Sequence, residues 1–547
     1  MAPRVFWPAA IIILAFVVFT VSAPGTAENI ISAIQESIIG GFGWYYTLIV
    51  SAFVVFSIWL GLGHFGDIKL GPDDEEPEFS RFSWFAMLFA AGMGIGLMFF
   101  GVAEPLTHFA SPKPGTGGGT PGENAQQALV QTFLHWGIHP WAIYVVVGLG
   151  IAYMVHRKNQ PISIRWILRP VFGDRVKGWI GDVIDIAAIV GTLFGVATSL
   201  GIGVTQIGAG LNFLEVIEEP GNLTYVILIG AITLLAITSV VTGVKKGIKW
   251  LSNINIGLAG ALLIFVIIAG PTLFIFRDSV QSVGLYLQNL LQLSFDTTAM
   301  QADDGVDWQA DNAIFYWGWW ISWSPFVGVF IARVSRGRTV REFVAAVLLV
   351  PTLISIVWFT TLGGTALARE LFGNGGLIEN GEVDSNTALF DMLEGLPGGS
   401  IAAGVAVILV VLFFVTSSDS GSLVVDMLAS GGDPEPPTWS RVFWASMEGA
   451  VAIALLLAGG LVALQTMAIV IALPFSVVIV LMCVAIYKQF SSERKTQLRI
   501  QRRLQQQELT EHVTESLIDE GLVEPNGGSA SDTGSGAGTG QRGGESS

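Results

Sequence analysis

Ile314-Phe-Tyr-Trp-Gly-Trp-Trp-Ile-Ser-Trp-Ser-Pro-Phe-Val-Gly-Val-Phe-Ile-Ala-Arg-Val-Ser-Arg-Gly-Arg338 is apolar over a membrane-length run, yet it holds four tryptophans and a tyrosine within eight residues. At 100° per residue, Tyr316, Trp319, Trp320 and Trp323 fall in one sector of about 100°, while Trp317 points elsewhere. Spanning helices ordinarily keep tryptophan at their ends, level with the lipid headgroups. A cluster running inward along one face instead predicts a wall of π-faces. Such a wall suits a cation that cannot donate hydrogen bonds, above all a quaternary ammonium. An interfacial aromatic belt is the competing reading of the same stretch.

The rest of the chain fits a membrane setting. Of its 547 residues, 52% are hydrophobic and only 13% charged, where a soluble domain carries about a quarter charged. Cys483 is the single cysteine, so neither a disulfide framework nor a thiolate metal site is expected. A net charge of −16 argues against nucleic-acid binding. Apolar segments of spanning length fall near 6–22, 44–62, 82–104, 126–154, 181–205, 223–243, 254–276, 314–333, 343–366, 400–424, 441–459 and 464–487. The first lacks a convincing cleavage site, so twelve transmembrane helices are expected in an all-α membrane protein.

Charge gives the orientation. With both termini in the cytoplasm, 24 of the 27 Lys/Arg fall in inner loops, among them Arg157, Arg165, Arg169, Lys245, Lys246, Arg336 and Arg338; only Lys113, Arg277 and Arg369 fall outside. That bias supports the count and the topology in a plasma membrane. The expected organisation is a two-helix region and loop over 1–81, a first five-helix repeat over 82–276, an external amphipathic segment over 277–313, a second repeat over 314–487, and a cytoplasmic tail over 488–547. The tail begins basic and Gln-rich and ends in a Gly/Ser/Thr run expected to be disordered.

Two spans look flawed. Gly92, Gly94 and Gly96 crowd one stretch of the third, each costing a helix about 1 kcal/mol relative to alanine. An opened turn there would free carbonyls for a cation and amides for a carboxylate; close helix packing is the bland alternative. Pro325 interrupts the eighth. Five segments separate the two, which places them correspondingly in two five-helix halves. An odd number of spans per half forces inverted topology, with the substrate site at the bilayer midplane.

The run Trp-Gly-Trp-Trp-Ile-Ser-Trp-Ser-Pro-Phe-Val-Gly followed by Ile-Ala-Arg-Val-Ser-Arg-Gly-Arg-Thr-Val-Arg-Glu-Phe closely resembles the signature of the betaine/choline/carnitine transporter family. The likeness extends over roughly residues 5–490 through blocks at 90–105, 132–150, 191–210 and 413–420. It implies two N-terminal helices before a 5+5 inverted-repeat (LeuT-type) core, and a homotrimer. It also implies an aromatic box for trimethylammonium from Trp136, Trp141 and Tyr144, faced by Trp319, Trp320 and Trp323. On geometry alone the helix-four set is weak, since the three span about 140° of a wheel. One sodium site is implied at the Thr416 and Ser417 hydroxyls with the carbonyls of Ala90, Met93 and Phe413. A second would use Thr192 and Phe326, but Val196 offers no oxygen where a hydroxyl is expected.

The leading expectation is therefore sodium symport of an osmolyte, glycine betaine before choline or carnitine, with sodium as coupling ion and no other cofactor. Choline or carnitine uptake coupled to protons or exchange is the alternative within the class; a betaine-binding osmosensor is the alternative outside it. No nucleophile–base set or metal-ligand spacing points to an enzyme. Asp182, Asp185, Glu104, Asp419, Asp426 and Glu448 lie at membrane depth near segment ends. Pairing with Arg-rich inner loops is expected for them, with no role in transport assigned. His135 and His139 are expected as satisfied polar groups beside a kink, with proton carriage as the alternative.

Overall fold

The computed structural model describes residues 2–92, 94–242 and 245–520, without the side chains of 89–92 and 245–250. Every extended element among them is helical, apart from two isolated bridges. In chain order the main helices are α1 Pro3–Ser22, α2 Pro24–Leu62, α3 Arg81–Gly92, α4 Ile95–Ala110, α5 Pro121–Trp136, α6 Ile138–Ala152 and α7 Trp179–Phe213. There follow α8 Asn222–Thr242, α9 Lys245–Ala269, α10 Thr272–Ser294, α11 Phe315–Val334, α12 Val340–Phe372, α13 Gly399–Ala429 and α14 Thr438–Asp519. Among the described residues, nine helical stretches are long and apolar enough to cross a bilayer. The chain is thus a multi-pass membrane protein.

The expected spans fall largely on helix, but 254–276 is interrupted at Gly270 and Pro271, between α9 and α10. The last two spans share α14, which breaks at Gly459 and at Gly460 (φ 63°, ψ −139°), a conformation that only glycine adopts freely. The first part of the expected amphipathic segment, 277–313, lies on α10. Ile275, Asp278, Ser282 and Tyr286 of that helix turn inward, and Ser279 Oγ meets Thr360 Oγ1 of α12 at 2.9 Å.

Local chemistry explains several boundaries. Thr120 and Thr339 begin α5 and α12 with capping boxes, each side chain accepting from a glutamate N–H one turn on while that glutamate bonds back. The glycine-rich break falls where expected, between α3 and α4. Gly94 is extended there (φ −165°, ψ −173°), a conformation open to any residue. Pro325 behaves otherwise: α11 runs helically through it. The proline cannot reach the Ile321 carbonyl, and the Ser324 hydroxyl donates to that oxygen instead at 2.7 Å, which repairs the helix. The expected interruption of this span is therefore absent.

The real second break lies between α5 and α6. Pro140 lacks the N–H that would bond the Trp136 carbonyl, and its ring would press on that carbonyl. The chain turns at Gly137 (φ −94°, ψ −130°) and restarts at Ile138.

The second half of the opening stretch is an anchor. Leu70 N–H donates to Arg338 O at 2.8 Å, and Gly337 N–H donates back to Leu70 O at 2.9 Å. Arg338 lies over the Trp84 ring at 4.5 Å, while Trp84 Nε1 donates to Ser335 Oγ at 3.0 Å. Together these pin the 65–79 loop to the end of α11.

Three of the six acids, Asp182, Asp185 and Asp419, pair with arginine as expected. Arg165 meets Asp182 at 2.9 Å and Asp185 at 2.5 Å, and Arg441 meets Asp419 at 3.2 Å. Asp426 and Glu448 are held by the hydroxyls of Ser440 and Ser418.

Residues 2–490 form one compact unit; residues from 491 onward belong to a second, whose described part is exposed helix. The Gly/Ser/Thr run of the tail lies outside the described residues.

Candidate functional site: an aromatic cavity at two helix breaks

Both breaks open onto the same space. A cavity with an empty volume of ≈ 520 Å³ is bounded by Gly94 and Gly96 of α4, Trp136 at the end of α5, and Trp141 and Tyr144 of α6. Trp319, Trp320 and Trp323 of α11 and Ser417 of α13 close it. All six aromatic residues expected from the sequence line it. The indoles are buried rather than turned toward lipid: Trp319 is 2% exposed and Trp320 5%.

Trp319 and Trp320 stack at 4.7 Å and 12°. Trp136 stands edge-on to both, at 6.1 Å and 87° from Trp319 and at 4.9 Å and 74° from Trp320. Tyr144 is perpendicular to Trp320 (80°) and to Trp141 (80°). Rings set at right angles around one space offer π-faces from several directions, as an onium cage requires.

Hydrogen bonds fix those rings. Trp320 Nε1 donates to the His135 carbonyl at 2.9 Å, one of the acceptors left free at the end of α5. Trp319 Nε1 donates to Ser199 Oγ of α7 at 3.2 Å. Trp136 Nε1 donates to Glu104 Oε2 at 2.5 Å, and the Tyr316 hydroxyl donates to the same oxygen at 2.6 Å. Glu104 Oε1 meets His135 Nδ1 at 2.7 Å. So Glu104, given no role from sequence, sits 3% exposed behind the box and holds two of its helices. An acid inside an apolar span was the available signal, but its partners come from α5 and α11 and no local pattern names them. Ser199 and Ser355, which also line the cavity, were missed because serine in a spanning helix usually bonds its own preceding turn.

Glu104→Gln gives a direct check. With its oxygen in the place of Oε2 the amide still accepts from Trp136 and Tyr316 but turns its NH2 on His135 Nδ1, and turned over it presents N–H to both ring donors. A buried donor left without an acceptor costs about 1–3 kcal/mol. Ligand affinity is expected to fall about tenfold with little change in expression, read by quenching of tryptophan fluorescence. Unchanged affinity would mean the carboxylate does not position the box.

The start of α4 also borders the cavity. Its first N–H groups lack helical partners and carry the positive end of the helix dipole, which suits a carboxylate. The Tyr144 hydroxyl and Trp323 Nε1 are buried and hydrogen-bond to no described residue. They add two donors on the cavity's walls.

A second cavity, with an empty volume of ≈ 700 Å³, adjoins the first through Trp323 and Ser417, which line both. Phe413, Thr416 and Phe326 line this one, with Ser252, Asn255 and Ser420. The Thr416 hydroxyl donates to Leu412 O at 2.9 Å and lies 3.2 Å from Phe413 O; it accepts from Asn255 Nδ2 at 3.1 Å. Thr416, Ser417 and Phe413 are therefore brought together beside the aromatic box. Ala90 and Gly92 lie in the last turn of α3, their side chains undescribed, and Met93 lies outside the described residues. Thr192 lines neither cavity, and its hydroxyl donates to Ala188 O at 2.7 Å. Val196 is buried with its methyls against Gly421. His139 Nε2 meets Ser294 Oγ at 2.9 Å.

Known proteins resemble this chain along most of its length. The profile described as BCCT, betaine/carnitine/choline family transporter, matches residues 4–495. An uncharacterised transporter of Mycobacterium tuberculosis is 54% identical over 493 residues, 89% of this chain and 82% of its own. A glycine betaine transporter of Bacillus subtilis is 44% identical over 491 residues, covering 90% and 95%. A glycine betaine/proline/choline transporter of Vibrio parahaemolyticus is 43% identical over 505 residues, covering 90% of each.

Proposed function

The chain belongs to the betaine/carnitine/choline transporter family, and we propose that it imports glycine betaine by sodium symport across the plasma membrane as an osmoprotectant. Twelve spans, with both termini inside, form two N-terminal helices and a 5+5 inverted-repeat core; three copies assemble. The observation that carries the substrate is that one cavity is lined both by indole faces and by the amide-rich start of α4. A zwitterion with a trimethylammonium head and a carboxylate satisfies both. Choline, which has no carboxylate, leaves the α4 amides unused. Relatives named as glycine betaine transporters support the same choice.

Coupling follows from adjacency. A sodium ion held by the Thr416 and Ser417 hydroxyls and the carbonyls of Phe413, Ala90 and Met93 would tie α13 to the broken end of α3, completing the cavity that holds substrate. Sodium and betaine then bind better together than apart. One helical bundle rocking against the other would expose the fixed site to each side in turn.

Uptake of labelled betaine into proteoliposomes tests this. We expect uptake to need sodium outside, and Ser417→Ala to raise the half-saturating sodium concentration about tenfold, the loss of one charge-assisted contact. Equal uptake in potassium would remove sodium coupling and leave the carrier. Binding without any uptake would favour an osmosensor.

A further inference from the structure

Behind the aromatic box, facing away from the transport cavity, three side chains converge whose arrangement exceeds what holding Trp136 requires. Glu104 and His108 lie one turn apart on α4 and His135 faces them from α5. One ligand atom from each falls within 4.8 Å of the others. Glu104 Oε1 is 2.7 Å from His135 Nδ1 and 3.4 Å from His108 Nε2. All three residues are buried. His108 is the odd member: 3% exposed, its Nε2 meets Glu104 Oε1 only at 3.4 Å, and its Nδ1 has no hydrogen-bond partner among the described residues. A buried polar atom in that state costs about 1–3 kcal/mol, so its retention points to an absent partner.

We propose that Glu104, His108 and His135 form a binding site for a borderline transition-metal dication of the zinc class. One carboxylate oxygen and two imidazole nitrogens are the donor set such ions prefer, and three protein ligands leave a fourth position for water. Ligands about 2.0–2.2 Å from a tetrahedral centre stand roughly 3.3–3.5 Å apart. The Glu104–His108 separation already matches, and the Glu104–His135 pair opens by several tenths of an ångström.

The supporting contacts are in place. Glu104 Oε2 keeps its bonds from Trp136 and Tyr316, which orient the carboxylate. Gln131 Nε2 lies 3.0 Å from His135 Nε2. Turning that amide over lets its oxygen accept from Nε2–H, which frees the Nδ1 lone pair for the metal.

An entry path exists as well. A cavity with an empty volume of ≈ 340 Å³ reaches His108 between Pro112, Lys113, Thr116, Gln131 and Trp308, beside the loop that the charge bias assigns to the outside. Lys113 at its rim is paired with Asp296, so it does not bar a cation. Because Glu104 also holds Trp136 and Tyr316, an ion here clamps α4 to α5 directly behind the substrate box.

Binding is measurable whatever the substrate. Tag-free protein in detergent is titrated with cobalt(II) and, separately, with zinc chloride by calorimetry. We expect one ion per chain, cobalt ligand-field absorption of a four-coordinate nitrogen/oxygen site, and quenching of Trp308 beside His108 (5.8 Å). His108→Ala and His108→Gln should each weaken zinc more than about tenfold while betaine binding in metal-free buffer persists. Octahedral absorption only, or zinc binding undiminished in both variants, would overturn the proposal by placing the ion at a surface histidine such as His64 or His512. No zinc binding by the intact chain would overturn it outright.

Discussion

Trp320→Ala is expected to abolish betaine uptake at low substrate and to weaken betaine binding about thirtyfold. The indole supplies one desolvated π-face, worth about 2 kcal/mol toward an onium ion, and each 1.36 kcal/mol is a factor of ten. It is also held at both ends, stacked 4.7 Å from Trp319 and bonded to the carbonyl of His135. Truncation therefore removes the cage wall and uncovers a carbonyl at the end of α5. Trp320→Phe separates the two contributions. The smaller ring keeps a π-face and loses only the N–H, a loss of about 1 kcal/mol or roughly fivefold. Betaine-induced fluorescence quenching of purified protein measures both, with uptake in parallel. If alanine and phenylalanine behave alike, the hydrogen bond matters and the π-face does not. If neither changes binding, the cavity is not the substrate site.

Gly96→Ala should be nearly as damaging, for a steric reason. A Cβ at this position would sit 2.7 Å from Trp136 Cη2 and 2.8 Å from Trp319 Cη2, closer than real carbon contacts allow. Neither ring is free to yield. Trp136 is tied to Glu104, and Trp319 is tied to Ser199 and stacked on Phe315 at 5.5 Å and 18°. Overpacking of this kind costs about 1–3 kcal/mol, so betaine affinity should fall about tenfold or more while helix content is retained. The double variant Gly96→Ala/Trp136→Phe removes the Cη2 atom from one side of the clash. It should bind better than the Trp136→Phe loss and the Gly96→Ala loss would give if they simply added. Strict additivity would show that the glycine acts through the backbone of α4 rather than by making room for the indoles.

Much of this was legible in the chain itself, because membranes constrain sequence strongly. Segment length and apolarity located the spans, and charge suggested an orientation. The inward run of Tyr316, Trp319, Trp320 and Trp323 marked a helix face too aromatic for lipid. Local rules also found the break at Gly94 and the division of the last two spans, since both depend on residues adjacent in sequence.

Local rules failed where a partner outside the pattern decided the outcome. Pro325 read as an interruption, but the neighbouring Ser324 hydroxyl takes the carbonyl that proline abandons, and α11 continues. Trp136, Trp141 and Tyr144 formed no convincing face on a continuous helix. The turn at Gly137, forced by Pro140, puts Trp136 and Trp141 on separate helices; Trp136 and Tyr144 meet Trp320 of α11, and Trp141 stands against Tyr144. Glu104 was an unassigned acid until α5 and α11 supplied its donors. Composition, segment length and spacing indicated on their own a multi-pass membrane protein and the aromatic face of α11, since each is a property of one segment in lipid. Which hydrogen bonds hold the rings upright was decided only by the tertiary structure, because every such bond joins one helix to another.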